Sequence, residues 1–473
     1  MPTASQVQDD IAIVGMACRF AGAADPAAYW RNIVACRSAI GDHPHPAAGR
    51  VLDAHARRFD RLRTLRGGYL RDLNAFQPGR FGLAAEALAG ANPDQFLALQ
   101  IASEALQDAG LQPRTVPAGR TALFFGYAAP VNPASANWLQ HGLAVEQTAA
   151  LLQRLVPSAA EAPLDEARRA MNAALPPVRP AALRSAFGHG IAGRCAASLG
   201  LSGAALTVDA GAASSLAALR LAMDDLRLGR CDVALAGAVQ TCSSVQVLMG
   251  LASLYDFTGR ELPCPFGRDA DGTLPGEGGA FLVLKRRRDA ERNRDAVYAL
   301  LTGVGLAAAD ETALGPRPAP ESLAAAMRAA YDEAGAESGS VALVEGHGSG
   351  VPREDLVEIQ ALRQVFGDRA GAAPRVLAGS VKTQIGHCFA AAGAAGVVKA
   401  ALALHHRVLP PMLAGPGRLH PRLVAAPSPF YVASAPRPWV HGRGLPPRRA
   451  AVTACDGACL YAHAVLAERP EPR

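Results

Sequence analysis

The residues from 205 to 239 constrain the fold more strongly than any other part of this chain. Residues 206–209 predict a short strand, and the small residues of 211–214 predict a tight turn. Apolar residues then recur at steps of three and four, which predicts a helix: Leu216, Leu219, Met223 and Leu226. Gly229 ends this helix, and residues 233–239 predict the next strand. A strand, a turn, a helix and a second strand in this order indicate an α/β protein.

A second unit of the same kind lies nearer the end of the chain. Residues 375–381 predict a strand, residues 382–389 a loop and residues 390–405 an alanine-rich helix. Further predicted elements are strands over residues 11–15 and 122–126 and a helix over residues 93–109. Strands that alternate with helices favour mixed sheets whose faces are covered by helices.

Composition excludes several other classes of protein. The chain has 473 residues, of which 50% are hydrophobic and 19% are charged, so it is too apolar to be disordered. It has no uninterrupted apolar run of about 18 residues, so we expect no membrane insertion. Residues 1–10 carry two acids and no base, unlike a signal peptide, so we expect a cytoplasmic protein.

The charged and sulfur-containing residues indicate neither a nucleic-acid site nor a metal site. The net charge is +6, but no run of lysine and arginine resembles a nucleic-acid motif, so we expect no nucleic-acid partner. Nine cysteines are scattered along the chain, and only Cys455 and Cys459 are close in sequence. A disulfide framework and a zinc site are therefore not predicted, and most of these cysteines should be buried thiols.

The turn into the central helix is where α/β enzymes hold a nucleophile, because a helix N-terminus favours negative charge and has free backbone N–H groups. Residues 207–216 read Thr-Val-Asp-Ala-Gly-Ala-Ala-Ser-Ser-Leu. This elbow resembles the Thr-Val-Asp-Ala-Ala-Cys-Ala-Ser-Ser-Leu of the β-ketoacyl synthases, specifically the ketosynthase domains of polyketide and polyunsaturated-fatty-acid synthases. Other segments resemble the family in the same order along the chain: residues 11–20, residues 92–95 with 104–110, and residues 271–278.

The resemblance implies a thiolase-like α/β fold, in which layers alternate as αβαβα and the chain forms two similar halves with mixed sheets covered by helices. We place the first half at 10–262, with the elbow at 207–216, and the second at 263–468. The family acts on chains carried by the phosphopantetheine arm of an acyl carrier protein, so the acyl carrier protein is the expected partner and no cofactor of the chain's own is implied. The resemblance also implies a homodimer, or a heterodimer with an active ketosynthase.

The resemblance assigns a site in which the main catalytic residue is missing. Family members carry the acyl chain on a cysteine as a thioester, and two histidines help to decarboxylate a malonyl extender. Ala212 occupies the cysteine position, and alanine has no atom that can carry an acyl group. His347 and His387 lie in the two matching histidine motifs and would polarise the malonyl thioester carbonyl. Lys382 would help to set the electrostatics around His387.

Positions that would hold the pantetheine arm depart from the family pattern. The resemblance assigns these contacts to Ser349, to Val351 where the family has a threonine, and to Gln384 where it has an asparagine. The late glycine-rich loop aligns with residues 454–461, and Gly457 falls at the position of a gating phenylalanine. Other polar residues of these motifs are expected to be structural: Ser214 and Ser215 at the helix start, and the acidic pair Asp355 and Glu358.

We therefore expect a ketosynthase-family protein of polyketide or fatty-acid biosynthesis that does not condense acyl chains. It would act by binding, as a chain-length-factor-like subunit or a carrier-protein-binding subunit. The alternative is a malonyl decarboxylase that makes starter units through His347 and His387. A third hypothesis, an active condensing acyltransferase, is disfavoured by Ala212.

Overall fold

A computed structural model describes most of the chain. The described residues are 10–55, 61–73, 76–112, 116–129, 131–157, 161–308, 310–312, 315–317, 319–368, 375–413, 419–442, 444–456 and 460–470. Gly457, one of the positions assigned from the sequence, lies outside them.

Strands and helices alternate along most of the chain. The strands are β1 (Ile11–Phe20), β2 (Thr121–Gly126), β3 (Ala205–Val208), β4 (Val233–Gln240), β5 (Gly278–Arg286), β6 (Ala299–Ala308), β7 (Asp310–Thr312), β8 (Gly315–Arg317), β9 (Val341–Glu345), β10 (Val376–Gly379), β11 (Val408–Leu409), β12 (Phe430–Tyr431), β13 (Arg437–Pro438), β14 (Arg449–Cys455) and β15 (Leu460–Ala467). The helices are α1 (Pro26–Val34), α2 (Asp94–Asp108), α3 (Pro133–Leu139), α4 (Val145–Leu155), α5 (Glu161–Ala173), α6 (Pro180–Leu183), α7 (Gly188–Ser198), α8 (Ser214–Arg227), α9 (Val245–Leu254), α10 (Arg287–Asn293), α11 (Pro320–Glu333), α12 (Pro352–Phe366), α13 (Lys382–Ile385), α14 (Ala392–His406) and α15 (Pro421–Val424).

Eleven of these strands form one continuous mixed sheet, in the order β12-β10-β9-β14-β15-β6-β1-β5-β4-β2-β3. At one end β3, β2 and β4 are parallel, and β5 and β1 follow as antiparallel strands. At the other end β12, β10, β9 and β14 are parallel, and β15 and β6 follow as antiparallel strands. The two sets meet where β1 pairs with β6. Apart from the additional edge strand β12, each set repeats the order of the other, which gives the chain two similar halves.

The pairing of β5 indicates where along the chain the two halves divide. β5, residues 278–286, lies between β1 and β4, so it belongs to the strands of the first half. The proposed boundary at 262 and 263 would separate β5 from both neighbours. We propose instead that the first half extends through β5 and that the second begins before β6.

Side chains of the sheet alternate between a middle layer of helices and two outer layers. In β1, Ile11 and Ile13 join the apolar cluster that contains α8 and α14, whereas Ala12 and Val14 join the cluster that contains α2 and α7. In β15 the residues alternate between the middle cluster and a third cluster that contains α11 and α12. This alternation, with helices on both faces of a mixed sheet, produces the αβαβα layering.

The helix α14 lies in the middle layer and is rich in apolar residues. Residues 389–406 are long and apolar enough to cross a membrane by length and composition, with a mean hydropathy of 1.2. However, 89% of this stretch is buried inside the protein, where both of its faces contact other elements. Burial in the core therefore accounts for its apolar composition.

Most of the elements predicted from the sequence are present. The predicted helix over 93–109 is α2, and the strand, turn, helix and strand of residues 205–239 are β3, a 3₁₀ turn, α8 and β4. β1 is longer than predicted, because residues 16–20 continue its pairing with β5 beyond an irregularity at Gly15. The predicted loop over 382–389 is wrong in part, because it contains the four-residue helix α13, which is too short to show a helical pattern in the sequence.

The close contact between α8 and α14 predicts that an alanine at Gly393 destabilises the fold. An alanine at Gly193, a glycine of α7 outside this contact, should have the opposite effect. A Cβ at Gly393 in α14 would lie 2.7 Å from the side chains of both Leu216 and Ser215, whereas a Cβ at Gly193 in α7 has no neighbour within 4 Å. Gly393→Ala should lower the free energy of unfolding by about 1–3 kcal/mol. Gly193→Ala should raise it by up to about 1 kcal/mol, because alanine restricts the unfolded chain. Denaturant unfolding measures both, and equal effects of the two variants would contradict this packing.

Candidate active site

The elbow that follows β3 is built from small buried residues. Gly211–Ala213 form a 3₁₀ turn, and Ala212 within it is fully buried. Ser214, the first residue of α8, accepts the backbone N–H of Ala210 at 2.9 Å and donates to the carbonyl of Gly211 at 2.7 Å. This hydroxyl therefore makes the helix-start hydrogen bonds predicted for it.

The neighbouring Ser215 joins the two helices of the middle layer. Its Oγ accepts the backbone N–H of Ala394, in the first turn of α14, at 2.9 Å. Both partners are buried. The starts of α8 and α14 are thus held together by a direct hydrogen bond.

A carboxylate from a distant part of the chain lies against the elbow. The backbone N–H of Ala212 donates to Oδ2 of Asp456, which follows β14, at 3.2 Å. The hydroxyl of Tyr255 donates to the same oxygen at 3.0 Å. Burial and the nearby Asp456 raise the pKa of Tyr255, so this hydroxyl keeps its proton at neutral pH.

His347 lies in the loop after β9 and is buried. Its Nδ1 accepts the backbone N–H of Cys455 at 3.2 Å, so the ring proton is on Nε2. Nε2 lies 3.6 Å from a carboxylate oxygen of Glu354, which also accepts the hydroxyl of Ser349 at 2.6 Å. Burial raises the pKa of Glu354, but the hydrogen bond and charge of His347 outweigh it, with Ser349 and Arg353 acting in the same direction, and the net shift is downward. Glu354 is therefore an anion beside the donor face of His347.

Two acids hold the loop that carries His347. Glu358 accepts the backbone N–H groups of His347 and Gly348, each at 2.8 Å. Asp355 accepts the N–H of Phe266 at 2.6 Å and that of Gly350 at 3.2 Å, and burial raises the pKa of Asp355 to about 8. Both acids therefore act as the structural supports that the sequence indicated.

His387 lies in the loop between α13 and α14, is fully buried, and stacks on the ring of Phe389 at 4.7 Å. Its Nδ1 accepts the backbone N–H of Phe389 at 2.9 Å, so the ring proton is on Nε2. Nε2 has no hydrogen-bond partner among the described residues. Burial, together with Lys382 and His347, holds the pKa of His387 well below its ordinary value. The site thus contains a neutral, buried donor without an acceptor.

The two histidine rings lie together, with centroids 5.2 Å apart and planes at 71°. Lys382, which is 5% exposed, donates from Nζ to the carbonyl of His347. Burial lowers the pKa of Lys382, against the opposing effect of Glu345 and Glu358. The unpartnered Nε2–H of His387, near one buried cation, can stabilise a developing enolate oxygen.

Comparison with known proteins identifies the family. Residues 8–290 match the model of the β-ketoacyl synthase N-terminal domain, and residues 298–415 match that of the C-terminal domain. The chain belongs to the β-ketoacyl synthase family. The resemblance found in the elbow and histidine motifs is therefore confirmed, as is the thiolase-like fold.

Relatives of this β-ketoacyl synthase homologue include large multifunctional proteins. The chain is 34% identical to polyketide synthase ThaG of Burkholderia thailandensis, over 98% of this chain and 8% of that protein. It is 30% identical to a polyunsaturated fatty acid synthase protein of Thraustochytrium sp., over 98% of this chain and 16% of that protein. The chain therefore spans a small share of the length of these relatives.

Solved ketosynthase structures share the fold. The ketosynthase from module 6 of the bacillaene synthase of Bacillus subtilis 168 is 28% identical, with a TM-score of 0.80 over 98% of this chain and 73% of that chain. The oxazolomycin ketosynthase domain OzmH KS7 of Streptomyces albus is also 28% identical, with a TM-score of 0.82 over 98% of this chain and 76% of that chain.

The remaining positions assigned from the ketosynthase pattern lie in different environments. Ser349 and Val351 are buried beside His347, and Val351 directly precedes α12. The side-chain amide of Gln384 donates to the carbonyls of Asn32 at 3.1 Å and Arg37 at 3.2 Å. The side-chain amide of Gln384 thus joins the last turn of α1 to the chain that follows it.

Sequence reasoning missed three residues that the fold brings to the site: Asp456, Tyr255 and Glu354. Asp456 lies 244 residues from Ala212, so their hydrogen bond has no local pattern in the sequence. A signal was present, since the elbow has Gly211 where the family has alanine. The late loop, which resembles the family's Ser-Phe-Gly-Phe-Gly-Gly-Thr-Asn, has Asp456 at the first glycine of that pattern. A smaller residue at 211 and a larger residue at 456 together indicate that the two positions are in contact.

Among the described residues, the two cysteines near the site are not suited to replace the missing nucleophile. Burial raises the pKa of Cys388 to about 12, and this thiol borders a cavity of about 10 Å³, which has space for one water at most. Burial, with Glu358 and Glu354, raises the pKa of Cys455 well above its ordinary value. A thiol must ionise to attack a thioester, so both side chains are inert at neutral pH. In the described part of the chain no cluster of His, Cys, Asp or Glu could hold a metal ion.

The buried position of His387 predicts a pH effect on stability. Its folded-state pKa is below the value of about 6.5 for an unfolded histidine, so only the unfolded chain gains this proton as the pH falls. The contribution of the neutral His387 ring to the free energy of unfolding is therefore fully present above pH 6.5. It decreases below that pH, because the unfolded chain then binds the proton. Between pH 7.5 and 5.5 the wild type should lose about 1 kcal/mol more unfolding free energy than His387→Asn.

Nitrogen-15 NMR of labelled histidines provides the direct measurement. The His387 signals, assigned by their absence in His387→Asn, should keep the Nε2–H tautomer from pH 8 to pH 5.5. A midpoint at or above pH 6.5 for these signals would contradict the assignment of a neutral ring.

Proposed function

We propose that this β-ketoacyl synthase homologue does not condense acyl chains and acts by binding. It would pair with an active ketosynthase, as a chain-length-factor subunit does, or bind an acyl carrier protein. The observation that carries the proposal is the elbow, where the buried methyl group of Ala212 replaces a thiol and the adjacent N–H already donates to Asp456.

Condensation depends on a group that can bind an acyl chain covalently and release it again. A thiolate does both, because it is a strong nucleophile and a good leaving group. The hydroxyl of Ser214 is used within the helix start, and that of Ser215 accepts an N–H of α14. These contacts support a structural role for both serines.

One observation favours a second candidate function, decarboxylation of a malonyl thioester. This reaction needs no thiol: the bond to the carboxylate breaks, carbon dioxide leaves, and the electron pair forms an enolate that is then protonated. The unpartnered Nε2–H of His387 could donate to the enolate oxygen. However, the anion of Glu354 faces Nε2 of His347 and would repel both the malonyl carboxylate and the enolate. We therefore rank decarboxylation below binding.

The surface supports assembly with another ketosynthase chain. β3 is an edge strand of the sheet, with no strand beyond it in the described structure, and its Leu206 is 48% exposed. An edge strand with exposed apolar side chains tends to pair with another chain. Further large apolar side chains are exposed between α3 and α7: Trp138, Leu139, Leu143, Leu151, Leu155 and Phe187. A net charge of +6 favours an acidic partner such as a carrier protein.

Intact-protein mass spectrometry tests the reaction. The chain is incubated with acyl and malonyl carrier proteins, and both proteins are followed over time. We expect no acyl increment on the chain and no condensed product, and at most slow loss of carbon dioxide from the malonyl group. That slow reaction should disappear in His387→Ala, because removing one oxyanion donor costs about 10²–10³ in rate.

The matched control is His189→Ala, which removes an exposed histidine in α7 and should behave as the wild type. A stable acyl group mapped to residues 205–220 would refute the proposal. Fast decarboxylation by the wild type would place the second function first, and turnover that persists in both His347→Ala and His387→Ala would show that neither histidine takes part.

Sedimentation velocity at micromolar concentration tests the assembly. We expect a dimer, and Leu206→Lys in β3 should shift it towards monomer because a charge on an edge strand opposes pairing. Leu228→Lys, at a more exposed leucine after α8, is the control that should leave the dimer intact. A wild type that is strictly monomeric, alone and with a ketosynthase that retains its cysteine, would contradict the proposal.

A further inference from the structure

We propose that Asp456 is an internal ligand of the elbow and closes the acylation position independently of the missing thiol. The inference rests on the proposed function only in taking Ala212 as the nucleophile position. It assigns the loss of acyl transfer to two separate blocks, one at residue 212 and one at residue 456.

The carboxylate of Asp456 contacts the backbone of the elbow directly. Oδ2 of Asp456 accepts both the N–H of Ala212 at 3.2 Å and the hydroxyl of Tyr255 at 3.0 Å. A backbone N–H at the nucleophile elbow can stabilise a tetrahedral oxyanion only if it is free to donate to that oxygen. Here that donor already has an anionic acceptor from the same chain.

The absence of a side chain at Gly211 makes room for the carboxylate of Asp456. A Cβ built on Gly211 would lie 1.9 Å from Oδ2 and 2.3 Å from Cγ of Asp456. The φ of Gly211 is +53°, a conformation that side-chain residues rarely adopt. Any larger residue at 211 would therefore expel the carboxylate, so Gly211 and Asp456 form one steric unit.

Backbone hydrogen bonds hold Asp456 in place. Its N–H donates to the carbonyl of Leu460 at 2.9 Å, and the N–H of Leu460 donates back to its carbonyl at 3.1 Å. The preceding residue, Cys455, donates its N–H to His347. The backbone of Asp456 is thus fixed between the end of β14, which also contacts His347, and the start of β15.

A thiol restored at position 212 would therefore meet two obstacles. The carboxylate of Asp456 would disfavour the thiolate, because a nearby like charge raises the pKa of an acidic group. It would also compete with the thioester oxygen for the N–H of the elbow. Removing the carboxylate should relieve both.

The test uses the full chain with A212C alone and with A212C combined with D456G, D456N or D269N. Each variant receives a short-chain acyl thioester of N-acetylcysteamine. In the reaction the introduced thiolate attacks the carbonyl, a new acyl–sulfur bond forms, and the old thioester bond breaks to release N-acetylcysteamine, which takes up a proton. Intact mass and mapping of peptide 205–220 measure the rate.

We expect A212C/D456G to acylate at least about tenfold faster than A212C, because both the charge and the competing acceptor are gone. A212C/D269N removes an exposed surface carboxylate instead and should match A212C. A212C/D456N keeps the size of the side chain but removes its charge, so alkylation by iodoacetamide should shift to lower pH than in A212C.

Equal acylation rates in A212C and A212C/D456G, with both variants folded by thermal unfolding, would overturn the inference. If A212C/D456G does not fold, an unchanged pH dependence of alkylation in A212C/D456N would overturn it instead. These outcomes leave the proposed function untouched, since that function fails only if the wild type, which has no thiol at 212, acylates or condenses.

Discussion

The contact between the starts of α8 and α14 determines how the site is assembled. Both helices lie in the middle layer, and Ser215 Oγ accepts the N–H of Ala394 where they meet. The elbow lies directly before α8, and the loop of His387 lies directly before α14. Because glycine at 393 lets the two helices approach closely, the elbow and that histidine are fixed relative to each other by core packing. The packing of the hydrophobic core therefore sets the distance between the elbow and His387.

The charged groups of the site lie within a network of hydrogen bonds, and His387 stays neutral beside them. Burial and the nearby Lys382 lower the pKa of His387, and the backbone N–H of Cys455 donates to Nδ1 of His347. Glu345 balances the second buried cation, Lys399, at 2.5 Å. The carboxylate of Glu345 also accepts the backbone N–H of Val381, so this buried ion pair fixes the loop after β10. Replacing only one of the two partners would leave a buried charge without its partner.

Periodic patterns predicted the parts of the fold that depend on local sequence, and motif resemblance predicted the parts that depend on ancestry. The helix over 94–108 and the elbow after β3 followed from apolar spacing and small residues. The short helix α13 did not, because four residues cannot display a period. The histidines were predicted at the site by their motifs, whereas Asp456 and Glu354 were not, since their positions follow from contacts between loops. The same reason explains Gln384, whose partners Asn32 and Arg37 are 352 and 347 residues away in the sequence.

The unpartnered Nε2–H of His387 has a thermodynamic consequence for the chain as a receptor. A buried donor without an acceptor costs about 1–3 kcal/mol of folding free energy, a cost that an apolar residue would avoid. Any ligand that brings a carbonyl oxygen to this nitrogen recovers that energy on binding. An acceptor that reached this nitrogen would therefore bind with that cost removed, whether or not a reaction followed.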